Sequence, residues 1–513
     1  QLRAIDAKFF TLLDACAASA FERRHMPTIQ RCISAYNSVG SPQAAEEAFQ
    51  HAVIRPIVSH VLVGGGGGGA QKQGQAQAKK GAIAEIYKTL LDEVASQAGE
   101  IIESINGQLS GAKSCNIAAA IVAETDMAVS ASRPNIYSPG IPDAFRENYL
   151  ASIDFLKQVA AYCPEGLTRE FEESQAVQRF LKRWNLTVYH SLRFQDIAGT
   201  FEKHIAGKGV ASIAEEAKPF HFSAANVLLE CLLKCFSREV FLPSLANKFC
   251  RLAYQLVSRF HVWLKAGLAK RRDAAKSSQQ EKKAAAAAGG GGEQESSQGT
   301  FWTKLTTNEL VMIVNDVKVL SDKVGTEVRR AMAAAMAELS GEVAGLAFAA
   351  VEEAVGDVRG VTEIIKEILG GDVLQQCTDL LKHVRGITAT YRMTNRPMPS
   401  RPSHYVSGIL RPLGELQQTF RKQASVSEEL MTDLRDHVAK EVTVKYAETA
   451  GDLLKTVHQT ESSLKRLKER QVQATGGNQD TEAAASDADK ICLQLFLDVK
   501  EFGKQLQKLG IAV

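Results

Sequence analysis

Cys231 and Cys235 stand four residues apart, the spacing at which two thiolates on one helix face could share a zinc ion. Zinc takes about four ligands, and the nearest further donors along the chain are His221 and His261. Neither lies at a spacing typical of zinc sites, so the pair reads as buried thiols in an apolar helix. A phosphate cradle is the second chemistry to weigh, because Gly64 to Gly69 is a run of six glycines. A phosphate loop sets its glycines at fixed positions and ends in a lysine and a hydroxyl residue at a helix start. Ala70-Gln71-Lys72 follows with no Ser or Thr, and the run reads as a disordered glycine-rich insert, about 64–80.

The eleven histidines form no His-Glu-x-x-His pair, and there is no Gly-x-Ser-x-Gly, kinase motif set or dinucleotide fingerprint. No catalytic residue, cofactor or metal ligand is assigned, and no enzyme is expected. An enzyme whose groups converge from distant positions on a helical scaffold stays as an alternative. Lys182-Arg183, Lys270-Arg271-Arg272 and Lys465-Arg466 with Lys468 and Arg470 could touch phosphates or lipid headgroups. Each run also falls on the expected wet side of a helix. Sixty-one basic against fifty-eight acidic residues give a net charge of +3, so bulk charge argues for no nucleic-acid partner. Nine scattered cysteines, an odd number, fit a reducing compartment. No apolar run reaches the roughly 18 residues of a membrane span, so a soluble or membrane-peripheral chain is expected.

The elements carrying these residues are helical. From Gln1 to about Val63, Leu2, Ile5, Phe9, Leu12 and Leu13 keep helical spacing, and Gly40 with Ser41-Pro42 marks a stop and a new start. Gly81 to Ser130 repeats the pattern. "IYSPGIPDAF", Ile136 to Phe145, is turn punctuation ahead of a helix that Pro142 and Asp143 would open. Phe180, Trp184, Val188, Leu192 and Ile197 hold one face, with a local break allowed at Asn185–Thr187. Phe241 to Trp263 is a strongly apolar helix opened near Pro243. Residues 266–300 change to a low-complexity linker, and 301–513 resume as helices, with a proline corner at Tyr391–Val406 and a polar loop at about 471–489. Two apolar seams close the chain. The first is Ala450, Leu453, Val457, Thr460, Leu464 and Leu467; the second is Ile491, Leu495, Val499, Phe502, Leu506 and Leu509. Each must be covered, by the chain itself or by a partner helix. The expectation is an all-α fold with loop insertions: an elongated rod of stacked helical bundles over 1–265, the linker, then a second helical region.

Four ordered stretches, "YSPGIPDAFRENYLASIDFL", "KRWNLTVYHSLRFQDIAG", "YRMTNRPMPSRPSHYV" with "LRPL", and "ESSLKRLK" followed by "DADKICLQLFLDVKEFGKQLQKLG", resemble the subunit 2 family of the conserved oligomeric Golgi complex. The resemblance implies a structural subunit of a multisubunit tether, peripheral on the cytosolic face of Golgi membranes. Such a tether acts in retrograde intra-Golgi transport and keeps glycosylation enzymes in place. It implies other subunits of the complex as partners, especially subunits 3 and 4, with SNAREs, small GTPases and coiled-coil tethers as further candidates. A related secretory tether such as the exocyst is the alternative. Since Gln1 already lies in a helical pattern, the family's N-terminal coiled-coil region is expected to be largely absent from these residues. Met332 to Ala350 is unusually alanine-rich and fits the family less well. The candidate structural or interaction residues are Tyr137, Pro139, Pro142, Phe145, Trp184, Tyr189 and Phe194, with Leu464, Leu467, Leu495, Phe502 and Leu506 on the two seams.

Overall fold

The computed structural model describes residues 2–64, 82–108, 117–163, 166–207, 219–288, 301–394, 396–422, 428–475 and 486–511. The glycine-rich insert beyond Gly64, the last part of the 266–300 linker and most of the polar loop lie outside these residues. Among the described residues every regular element is helical and there is no β-strand, so the fold class is all-α. The chain forms two compact units, one of 1–197 with 237–248, the other of 198–236 with 249–513.

The first unit contains α1 (Leu2–Glu22), α2 (Met26–Ser38), α3 (Ala82–Gln108), α4 (Ile117–Ser132), α5 (Pro142–Ala160), α6 (Gln175–Lys182) and most of α7 (Leu186–Ala206). Its core joins Ile29, Tyr36, Phe49, Ile54, Leu90, Val94, Ile121, Phe155 and Phe180, all buried. Local chemistry sets the helix ends. Gly40, at φ 74°, adopts the left-handed turn that closes α2, and Pro42 opens the next helix, where its missing N–H is no loss. Pro142 opens α5 in the same way, with Asp143 in its first turn. The break within the Arg179–Ile205 stretch is real: α6 stops at Lys182 and α7 starts at Leu186. α4 is buried almost all round, which its small residues permit, and it carries Glu124 and Asp126 inward. Both charges are paired, Glu124 with Arg55 at 2.8 Å and Asp126 with Arg183. Arg183 is thus an ion-pair partner and not simply part of a solvated basic run.

The second unit is built on α8 (Ser223–Cys235), α9 (Ala246–Ala288), α10 (Thr307–Lys323), α11 (Gly341–Leu380), α12 (Glu428–Thr475) and α13 (Asp487–Lys508). The change of character expected after Lys265 falls inside α9. Leu264 and Leu268 continue its buried face, and Arg271 reaches the Asp372 carboxylate at 2.8 Å and the Leu305 carbonyl at 3.0 Å. Arg271 therefore leaves the wet face that its sequence neighbours suggest. A capping box opens α10, with Thr306 and Glu309 each satisfying the other's backbone N–H, and Ser486 with Asp489 does the same for α13. Gly267 has a packing role, since the Trp302 indole lies where a Cβ at 267 would stand. The alanine-rich stretch forms a helix to Ala335, a turn, and then the start of α11, where Val343 and Leu346 are exposed.

Candidate functional site

Two of the quoted stretches meet in the first unit. The corner ahead of α5 and the break between α6 and α7 build one aromatic cluster. Trp184, in the break, meets Tyr137, Phe145 and Tyr149 edge-on at ring separations of 4.9, 5.3 and 5.6 Å. Phe145 also stacks on Tyr189 at 5.4 Å. Such pairs each add about 0.5–1.5 kcal/mol beyond the area they bury. The Trp184 indole N–H is buried with no hydrogen-bond partner among the described residues, so its ring contributes packing alone.

A polar frame fixes this cluster to residues 239–244. The Arg193 side chain, 8% exposed, donates to the Tyr189 hydroxyl (3.2 Å), the Asp143 carboxylate (2.5 Å) and the Glu239 carbonyl (3.1 Å). The Tyr189 hydroxyl in turn donates to the Val240 carbonyl at 2.7 Å, and Arg146 donates to the Phe241 carbonyl at 3.1 Å. The hydroxyls of Tyr149 and Ser244 share a hydrogen bond of 2.7 Å. Burial works against the Arg193 charge, but its bonds to Asp143 and Tyr189 outweigh this and hold the guanidinium more firmly protonated. Burial, with Asp126 nearby, pushes the Tyr137 phenol up to about 12. Burial lowers the proton affinity of Arg146.

The second pair of stretches meets in the second unit. The proline corner, Tyr391–Val406, is held by α13 through two buried polar side chains. Asp498, fully buried, accepts from the Ser403 N–H (2.6 Å), the Tyr405 hydroxyl (3.1 Å) and the Gln494 amide (2.8 Å). Gln494 accepts from the Tyr391 hydroxyl at 2.9 Å and donates to the Arg401 carbonyl at 3.0 Å. The Asp487 carboxylate takes the Met393 N–H at 2.9 Å, where the chain turns through φ 54°. Burial, with Tyr446 and Asp498 close by, drives the Tyr405 phenol far above its ordinary range.

Tyr137, Phe145, Trp184 and Tyr189 therefore come together, with Pro139 and Pro142 shaping the corner that carries the first two. Phe194 stays outside, exposed beside the His190 ring. Leu495, Phe502 and Leu506 are buried, but Val499 is exposed and Asp498 takes the inward position instead. The corner's backbone donors need a carboxylate there more than the core needs another valine. The α12 seam is covered at Ala450, Leu453 and Val457 and open at Leu464 and Leu467, which are 52% and 59% exposed. The reason lies in the end of α13: Ser486, its N-cap, bonds to Glu461 at 3.2 Å, and Leu464 and Leu467 come after that point. Sequence reasoning missed Arg193, Gln494 and Asp498. Polar residues in an amphipathic pattern read as solvent-facing, and their partners on other segments lie 46 to 103 residues away in sequence.

Cys231 and Cys235 are buried on α8, and burial drives the Cys235 thiol far above its usual range. Among the described residues no three His, Cys, Asp or Glu side chains are grouped to hold a metal ion. No helix among them is long and apolar enough to cross a membrane.

The family described as COG complex component, COG2, C-terminal matches residues 182–499, more than half of the chain. Over nearly the whole chain the sequence is also similar to curated relatives. It is 28% identical to conserved oligomeric Golgi complex subunit 2 of Arabidopsis thaliana, across 98% of this chain and 65% of that protein. It is 25% identical to the human protein of that name, across 100% of this chain and 70% of that one. For the Drosophila melanogaster protein the figures are 24% identity, 94% and 64%. The chain thus spans about two thirds of the length of these relatives. The matched region takes in the Trp184–Arg193 segment, the proline corner and most of the last helix, and on this match the chain belongs to the COG2 family of conserved oligomeric Golgi complex components.

Proposed function

We propose that the chain is a structural subunit of a Golgi vesicle-tethering complex, acting in retrograde intra-Golgi transport and in retention of the glycosylation machinery. The observation that carries this reading is the family match over residues 182–499. The architecture is in keeping with it. Helical bundles leave exposed faces that can recruit partners. The partners in this reading are the other subunits of the complex, subunits 3 and 4 first among them, together with SNAREs, small GTPases and coiled-coil tethers. The chain acts by binding and not by catalysis, peripherally on the cytosolic face of Golgi membranes.

Affinity purification of the tagged protein from cell lysate, followed by mass spectrometry, tests this. The expected result is recovery of the remaining Golgi tether subunits in comparable amounts. Recovery of exocyst subunits, or of no tether subunits, would overturn the assignment and leave a helical scaffold of another role.

A further inference from the structure

The proline corner contains a run that the packing of the second unit does not use up. Residues Arg396 to Pro402 read Arg-Pro-Met-Pro-Ser-Arg-Pro and form neither helix nor strand, with a bend at Arg401 ahead of Pro402. Arg396, Pro399 and Pro402 are spaced by three, the period that an extended polyproline helix places in one row. Arg396 and Pro402 are exposed and Pro399 is partly so; Met398, beside that row, is 45% exposed. Among the described residues no hydrogen bond or ion pair engages the Arg396 or Arg401 side chain, while the Arg401 carbonyl and the Ser403 N–H are fastened to Gln494 and Asp498. The backbone is therefore held from behind while the side chains face outward. At the other end Met393, 94% exposed, is kept in a left-handed conformation by its bond to Asp487.

Charge narrows the kind of partner. From Tyr391 to Val406 the chain carries no Asp or Glu and three Arg residues, against a net charge of only +3 for the whole protein, whereas Lys382 and Arg411 on either side are already paired with Asp379 and Glu415. Asp487 and Asp498, which α13 brings beneath the corner, are already spent on its backbone.

We propose that Arg396–Pro402 is a docking ligand for a proline-recognition domain of the SH3 type: an aromatic-lined groove that takes Pro399 and Pro402, with an acidic pocket at one end for Arg396. Proline rings offer flat apolar surface and a backbone whose freedom is already restricted, so little entropy is lost on binding. The guanidinium supplies a fork matched to a carboxylate, which fixes the direction of the bound run. Anchoring by α13 adds to this, because the ligand is held in place before the partner arrives.

A panel of purified SH3 domains titrated onto the immobilised full chain tests the proposal, with phosphatidylserine vesicles as a parallel probe. The expected result is saturable binding by at least one domain. Pro399→Ala combined with Pro402→Ala should weaken it about tenfold or more, and so should Arg396→Glu alone. Arg396→Glu keeps both prolines and changes only an exposed side chain, so it reads out even if the proline variant unfolds. Absence of binding across the panel would overturn the proposal, as would binding indifferent to Arg396→Glu. Vesicle binding lost with Arg396→Glu but kept in the proline variant, without SH3 binding, would make the corner a cationic membrane contact instead. Copurification with tether subunits is a separate readout, so this proposal can fail without touching that one.

Discussion

Arg193, about two turns into α7 on its core-facing side, reaches Asp143 in the first turn of α5 at 2.5 Å, although fifty residues separate them. The same guanidinium also holds the Tyr189 hydroxyl and the Glu239 carbonyl. One side chain thus fastens three segments around the aromatic cluster in which Phe145 packs on both Trp184 and Tyr189.

Replacing Arg193 by Met should keep the apolar stem and remove the fork. The Glu239 carbonyl and the Tyr189 hydroxyl would each lose a charged donor, with an expected cost of about 2–4 kcal/mol. Asp143 is largely exposed and recovers water, so the loss should stay below that of a fully buried pair. Trp184 is the one tryptophan in the first unit. Urea unfolding followed by its fluorescence, with Trp263 and Trp302 replaced by Phe in both proteins compared, should show the lower midpoint.

Gly267→Ala should destabilise the second unit by about 1–3 kcal/mol, despite the higher helix propensity of alanine. The new methyl group would meet the Trp302 ring, which also stands edge-on to Trp263 at 4.9 Å. A lower thermal midpoint with a shifted tryptophan emission is the expected outcome. An unchanged or raised midpoint would mean that the indole moves aside freely.

Asp316 predicts a pH dependence. Its buried carboxylate accepts from the N–H groups of His221 and Phe222, at 2.7–3.0 Å, just before α8. Burial nevertheless raises its pKa from 3.8 to about 6, the two N–H bonds opposing the rise. The folded form therefore holds this proton more tightly than the unfolded chain does. Its contribution favours folding fully below about pH 4 and is lost as pH rises through about 6, an effect on the order of 3 kcal/mol. Urea midpoints measured from pH 4 to 7 should fall less steeply in Asp316→Asn than in the wild type.

Leu464→Asp combined with Leu467→Asp should change the unfolding free energy of the isolated chain by no more than about 0.5 kcal/mol, since both side chains lie on open surface. Calorimetry on the purified protein checks this. A large loss would mean that the seam is covered beyond Val457 after all.

Much of the helical framework could be read from the sequence because helix formation is a local matter. Pro142, the Gly40–Ser41–Pro42 stop and start, and the spacing of Phe249 to Phe260 each act within a turn or two of themselves. The aromatic residues of the two motifs also stood out by type. Their meeting did not, because it depends on contacts between segments distant in sequence. Asp498 shows the limit most clearly. On helical period alone Val499 belongs to the apolar face, and only the Ser403 N–H, ninety-five residues away, explains why the neighbouring carboxylate turns inward. Likewise, where the covered seam on α12 ends is set by the start of another helix, which the periodicity of α12 does not encode.

The fastening of the proline corner by Gln494 and Asp498 has a consequence in time. A chain is made from its first residue onward, so the clasp around Arg193 has all its parts once residue 244 has left the ribosome. The corner at 391–406 must wait for α13, with Gln494 and Asp498 more than ninety residues later, before the Arg401 carbonyl finds its donor and the Ser403 N–H its acceptor. During that interval the segment is a free, proline-stiffened strand. α13, made later, is the helix that converts it into a fixed outward-facing edge.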